Sequence, residues 1–116
     1  MQNTVEQVGD ICVVTINEDQ LDAGNSEDFR QEMASVLKDC RKLVIDLVRV
    51  QFVDSRGCGA ILYCLKQLTP VGGDLKLCDV NKAVRTVFEL IRLHRICEIL
   101  NTREEAVQAF AARPRS

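Results

Sequence analysis

In Phe52-Val53-Asp54-Ser55-Arg56-Gly57-Cys58-Gly59 an apolar pair stops at an Asp-Ser step, and two glycines open a helical pattern. Both Asp54 and Ser55 are good N-cap residues. The segment that follows, Ala60-Ile61-Leu62-Tyr63-Cys64-Leu65-Lys66-Gln67-Leu68, has helix-forming composition and runs uninterrupted to Thr69-Pro70. Ser55 is therefore expected at a helix N-terminus, beside unpaired backbone N–H groups and the positive end of the helix dipole. That environment tolerates a phosphate or another anion, which makes the hydroxyl a candidate switch.

Upstream of this stretch, Lys42-Leu43-Val44-Ile45-Asp46-Leu47 is a short, nearly continuous apolar run, the pattern of a strand buried on both faces, and Val48 to Val53 connects it to the Asp-Ser step. Before it, Asn25 or Ser26 caps a helix with Glu27 and Asp28 in its first turn and Phe29, Met33, Val36 and Leu37 on one face. Glu18 to Gly24 is a polar loop. The β-branched run Ile11 to Ile16 reads as a central strand, led by a hairpin arm from Thr4 that turns at Gly9-Asp10.

Downstream, the helix after Ser55 carries a stripe of Ile61, Leu65 and Leu68, with Leu62 and Cys58 beside it. The glycines of Val71-Gly72-Gly73-Asp74 turn the chain into a strand at Leu75-Lys76-Leu77-Cys78. Asn81 caps a helix with Val84, Val87, Phe88 and Ile91 on its apolar face, and Ile96 to Leu100 forms a last short strand. Thr102 with Glu105 resembles a capping box for a final helix docked by Val107, Phe110 and Ala111. The order predicts an α/β fold with a mixed, mostly parallel sheet of four to five strands and about four helices.

The length of 116 residues fits one domain, expected over residues 1–112 with 113–116 as a frayed tail. With 47% apolar, 28% charged and only 4% aromatic residues, the core must be aliphatic. A net charge of −2 with scattered Lys and Arg offers no basic stripe, so direct nucleic-acid binding is not expected. The six cysteines have no CxxC spacing and lie in or beside apolar runs, which assigns them to the core as free thiols. With no leader, no long apolar span and no lipidation signal, a cytoplasmic protein without membrane insertion is expected, as a monomer or weak dimer.

These features together resemble the STAS domain, and more narrowly the bacterial anti-sigma-factor antagonists. The residues that carry the resemblance are the leading hairpin, Asp22 before a capped helix, Val44-Ile45-Asp46-Leu47, the Asp54-to-Gly59 motif, Gly72-Gly73 before a strand and Val87-Phe88-Glu89-Leu90. The resemblance implies a single STAS-type domain that acts by partner switching. Unphosphorylated, it would bind an anti-sigma factor that is itself a serine kinase and so release the sigma factor. The kinase would phosphorylate Ser55 and a PP2C-type phosphatase would reverse it. Asp54 would cap the helix and shape the loop, Asp22 would contribute from the neighbouring loop, and Gly57 and Gly59 would admit the partner to the first turn. Arg56, Cys58 and Arg92 stand where the family carries a small hydroxyl residue, a leucine and often a glycine. Arg56 and Cys58 complete the implied partner-binding set.

Weighed on residues alone, Ser55 could be a cap without further role, and Asp22 a solvated loop acid. Cys58 is the cysteine to watch, because a thiol in a first helical turn can have a lowered pKa, although core packing is its commoner fate. His94 has no acid-and-nucleophile set around it, and no GxGxxG or GKS/T is present. Neither a catalytic site, a cofactor nor a metal is expected. The alternative function is a STAS scaffold or transport-complex subunit that docks a non-kinase protein through the same helix face; a small serine enzyme is the weakest reading.

Overall fold

A computed structural model of the chain describes residues 2–111. Strands β1 (Asn3–Val8) and β2 (Ile11–Ile16) form the hairpin, turned at Gly9-Asp10. They are followed by β3 (Gln20–Leu21), α1 (Ser26–Val36), β4 (Lys42–Asp46), β5 (Phe52–Val53) and α2 (Ser55–Leu68). Next come β6 (Asp74–Cys78), α3 (Lys82–Leu90), β7 (Glu98–Leu100) and α4 (Arg103–Ala111), with short 3-10 turns at Thr69–Val71 and Leu93–Arg95. The main sheet has five strands in the order β1-β2-β4-β6-β7, antiparallel only at β1–β2. The expected mixed, mostly parallel sheet with four helices is the observed one. The expected tail at 113–116, with residue 112, lies outside the described residues.

Period-two alternation in the central strands divides the core. On one face, Cys12, Val14, Ile16, Leu43, Ile45, Leu75 and Leu77 pack with Phe29 and Met33 of α1, Ile61 and Cys64 of α2, and Val84 and Phe88 of α3. On the other, Ile11, Val13, Val44 and Cys78 meet Ala106 and Phe110 of α4. Both faces of the parallel strands are thus covered, which is why β4 reads as a continuous apolar run. All six cysteines are buried and free, as core hydrophobes.

On the α4 face β6 buries a lysine at the polar position of its alternating Leu75-Lys76-Leu77 pattern. Lys76 is 1% exposed. Its ammonium lies 2.8 Å from Glu98, 3.5 Å from Asp74 and 4.6 Å from the centre of the Phe110 ring. Its apolar stem fills the core, while two half-exposed carboxylates and an aromatic face hold the charge.

Several details differ from the sequence expectation. The helix α2 is rotated inward of the predicted stripe: Gly57, Cys58, Ala60, Ile61, Cys64 and Leu68 are buried, while Leu62 and Leu65 are only half-buried. In α4 Phe110 and Val107 dock as expected, joined by Ala106, whereas Ala111 is exposed. The last strand begins at Glu98, leaving Ile96 in the preceding turn, 56% exposed. The capping box is realised: Glu105 N–H donates to Thr102 Oγ1 at 3.1 Å, and the Glu105 carboxylate accepts from Asn101 N–H at 3.0 Å.

Candidate functional site

The helix containing Ser55 starts where its capping chemistry dictates. Asp54 has extended backbone angles, and its Oδ1 accepts the Gly57 N–H at 2.9 Å, satisfying one of the helix's free donors. Its Oδ2 accepts the Ala23 N–H at 3.0 Å, so the same carboxylate pins a second loop. These backbone donors, Gly57 foremost, hold the Asp54 carboxyl below its ordinary pKa. Ser55 follows as the first helical residue, with its side chain exposed.

The second loop is tied down on its own account. Asn25 was one of two expected caps for α1, which starts at Ser26, but its side chain makes no cap bond. It accepts the Asp22 N–H at 2.9 Å and donates to the Gln20 carbonyl at 2.9 Å. Asp22 Oδ1 accepts the Gly24 N–H at 2.9 Å, and its carbonyl accepts from Ser26 N–H at 2.8 Å. Between the loops β3 and β5 pair as a two-stranded parallel ribbon, with Leu21 opposite Val53. Asp54 N–H donates to the Leu21 carbonyl at 3.3 Å, and Gln51 N–H to the Asp19 carbonyl at 2.6 Å. The structure therefore brings Asp22, Asp54 and Ser55 onto one braced rim. No periodicity announces this ribbon, because two-residue strands are too short to show one.

Gly57 is the residue that permits the ribbon. A Cβ built on it would lie 2.1 Å from the Leu21 carbonyl oxygen and 2.9 Å from Val53 Cγ1. Its missing side chain is used inside the domain, where backbone packs on backbone. Gly59 is different: a Cβ there would meet only the Arg30 guanidinium, at 3.5 Å. Arg30 itself lies over the Tyr63 ring, 5.5 Å from its centre.

Cys58 is 3% exposed. Burial, and secondarily the negative charge of Asp54, push its thiol pKa up. The helix N-terminus does not make it reactive; here Cys58 serves as core. Arg56 is exposed and makes no direct ion pair among the described residues.

Two features were missed in the sequence. One is an apolar groove at the Ser55 end of α2. Ser55, Cys58, Leu62, Ile91, Leu93 and Ile96 line a depression of about 250 Å³. The other is a carboxylate pair at the C-terminal ends of β4 and β6, where donor atoms of Asp46, Cys78 and Asp79 lie within 4.8 Å of one another. Asp46 is 5% exposed, and burial is the main cause that raises its pKa to about 6. Its Oδ1 accepts the Val48 N–H at 3.0 Å, and Asp79 sits at φ 57°. An acid interrupting Leu43-Val44-Ile45 was the available signal. Burial raises the Cys78 thiol pKa still further, so two acids and a protonated thiol make a poor cation site. No helix among the described residues is long and apolar enough to cross a membrane.

Comparison with known proteins converges on this architecture. The STAS domain family profile matches residues 2–106. A Bordetella bronchiseptica protein named as an anti-sigma factor antagonist, BtrV, is 33% identical over 111 residues, covering 95% of each chain. The crystal structure of a protein from Thermotoga maritima, described as an anti-sigma factor antagonist, superposes with a TM-score of 0.85 at 27% identity, covering 91% of this chain and 92% of that one. The phosphorylated form of the Bacillus cell-fate determinant SpoIIAA shares the fold, with a TM-score of 0.72 at 23% identity over 94% of this chain and 99% of that one. On the family match over nearly its whole length, the chain belongs to the STAS domain family.

Proposed function

We propose that this protein is an anti-sigma-factor antagonist controlled by phosphorylation of Ser55. In the unmodified state it binds an anti-sigma factor that is also a serine kinase, and so frees the sigma factor. A PP2C-type phosphatase resets it. The observation that carries the reading is the exposed Ser55 hydroxyl at the first position of α2, beside a cap and a loop that are braced independently of it. Ser55 is thereby a substrate hydroxyl and not a nucleophile. The names of BtrV and of the Thermotoga protein, and the phosphorylated form of SpoIIAA, point the same way.

Phosphorylation adds about −1.5 to −2 charges and three strong acceptors. An exposed helix N-terminus favours such an anion by roughly 0.3–1 kcal/mol, so the domain keeps its fold. The effect falls on the complex, where a phosphate next to Asp54 and Asp22 must be desolvated against the partner.

The test is to incubate the protein with ATP and each ATPase-type serine kinase from the same cell, then locate the phosphate by peptide mass spectrometry, with Ser55→Ala as control. Phosphate on Ser55, with an unchanged circular dichroism spectrum and lost kinase affinity, is the expected result. Absence of modification with every such kinase would assign the chain to the alternative, a scaffold or transport-complex subunit docking a non-kinase protein. Esterase or phosphatase turnover abolished by Ser55→Ala would make it an enzyme instead.

A further inference from the structure

The groove that starts at Ser55 does not end there. A second depression, of about 650 Å³, is lined by Leu65, Lys66 and Pro70 and shares Leu62 and Ile96 with the first, so the two form one trough along α2. Its opposite wall is the segment from Ile91, just past α3, to Ile96, with Gly73 and Asp74 at the far end. Ile91 and Ile96 are 46% and 56% exposed on that wall, large apolar side chains left facing water.

Exposed cations flank the trough. Lys66 lines the far depression together with Asp74, Arg92 and Arg95 are exposed in the segment that supplies Ile91, Leu93 and Ile96, and exposed Arg56 follows Ser55 in the chain. None of these four makes an ion pair among the described residues. Asp74 and Glu98 are paired with Lys76, and the remaining acid at the head is Asp54, whose carboxylate accepts two backbone N–H groups and keeps its charge. Arg92 is held at φ 62°, a left-handed conformation that costs an arginine about 1 kcal/mol and a glycine almost nothing. A charge kept at a position built for glycine marks a use for that charge.

We propose that this trough docks an amphipathic helix of the partner protein, with leucine-like residues on one face and carboxylates flanking them. One wall is α2 and the other is the turn from Ile91 to Ile96, and the β6 residue that lines the trough, Asp74, belongs to a strand paired on both sides, so an extended strand would find no free edge to pair with, whereas a helix can seat its apolar ridge between the walls. The 14 residues of α2 span roughly 20 Å, matched by a partner helix of about 14 residues. The unpaired cations select carboxylates on that helix. Ser55 closes the head of the trough, so a phosphate there repels the acidic helix. That last step rests on the proposed role of Ser55; the docking itself does not.

The probe is a labelled synthetic peptide of about 14 residues with leucine at i, i+3, i+4 and i+7 and glutamate elsewhere, against a counterpart with lysine for glutamate. Binding is followed by fluorescence anisotropy at low and high salt, and the site by amide chemical-shift mapping. The glutamate peptide is expected to bind at least tenfold more tightly than the lysine one, to shift the amides of Leu62, Leu65, Ile91 and Ile96, and to weaken with salt. The double change Arg92→Gly with Arg95→Ser should lower affinity at least tenfold without lowering the thermal midpoint, since glycine suits φ 62°. Ile91→Ser with Ile96→Ser should abolish binding at an unchanged circular dichroism spectrum, and Ser55→Glu should weaken it. Equal binding of both peptides, shifts elsewhere, indifference to the arginine changes, or association with phosphatidylglycerol vesicles in place of the peptide would overturn the proposal. A chain whose Ser55 is never phosphorylated but which binds the peptide refutes the switch and leaves the trough. A phosphorylated chain with a silent trough does the reverse.

Discussion

Replacing Gly57 with alanine tests whether the Ser55 rim depends on backbone-to-backbone packing between α2 and β3. The new Cβ would sit 2.1 Å from the Leu21 carbonyl oxygen, where ordinary contact begins at 3.4 Å, so the ribbon must open by about 1.3 Å. The atom in the way is backbone and cannot rotate aside. Overpacking of this kind costs about 1–3 kcal/mol. The displacement also strains the bonds from Asp54 N–H to Leu21 and from Ala23 N–H to Asp54 Oδ2, each worth roughly 1 kcal/mol net. Alanine's helix preference returns no more than about 1 kcal/mol. The net expectation is a loss of about 2–3 kcal/mol, which at a urea slope of about 1–3 kcal/mol per molar lowers the midpoint by about 0.7–3 M. Gly59→Ala, two residues on and clear of backbone, is the internal control and should gain about 0.5–1 kcal/mol. Urea titrations of both variants with unchanged slope decide it. A Gly57→Ala midpoint equal to or above the parent's would refute the view that this glycine exists to let α2 meet Leu21.

Asp54→Ala removes both the cap and the loop staple and should cost about 1–2 kcal/mol; raised amide hydrogen exchange at Gly57 and Ala23 is the readout. For Asp46, the folded pKa is raised from 3.8 to about 6, so its contribution to stability is full below the unfolded pKa and is lost as pH rises through 6. Asp46→Asn, which keeps an acceptor for Val48 N–H, should remove that decline and stabilise the protein at neutral pH by on the order of 1–3 kcal/mol in urea titrations across pH 4–8. Lys76→Ala opens a hole under Phe110 and leaves Glu98 and Asp74 unpaired, whereas Lys76→Met keeps the stem; thermal unfolding should show the alanine variant at least 2 kcal/mol below the methionine one.

The sequence was legible where a period could express itself. Runs such as Ile11 to Ile16 and Leu43 to Leu47 fixed the central strands, and Asp54 with Ser55 marked the start of α2 because capping is local chemistry. What lay beyond reach was the meeting of distant segments. Nothing in Gln20-Leu21 or Phe52-Val53 announces a strand, and the reason for Gly57 appears only once Leu21 lies across it. Lys76 looked like a solvent-facing position of an alternating strand, until Glu98, Asp74 and Phe110 arrived from elsewhere in the chain to hold its charge. The trough has no signature in the sequence, because Ile91 and Ile96, exposed on its wall, read there the same as buried apolar residues.

The location of the candidate switch sets a limit on where its energy can come from. A hundredfold change in partner affinity needs about 2.7 kcal/mol. Within the free domain Ser55 is exposed, so the helix dipole favours the phosphate by roughly 0.3–1 kcal/mol and solvent screens its repulsion from Asp54 to a similarly small size. The fold is braced without the hydroxyl, because the bonds of Asp54 and Asn25 hold both loops in place. A phosphate on Ser55 has no internal element to release or lock, so an allosteric rearrangement is not available to supply the difference. It must arise in the complex, from desolvating the phosphate and from carboxylates that the partner brings against it. A partner presenting only apolar and cationic groups at the head of the trough would bind the phosphorylated form as well as, or better than, the unmodified one, and such a switch would run backwards.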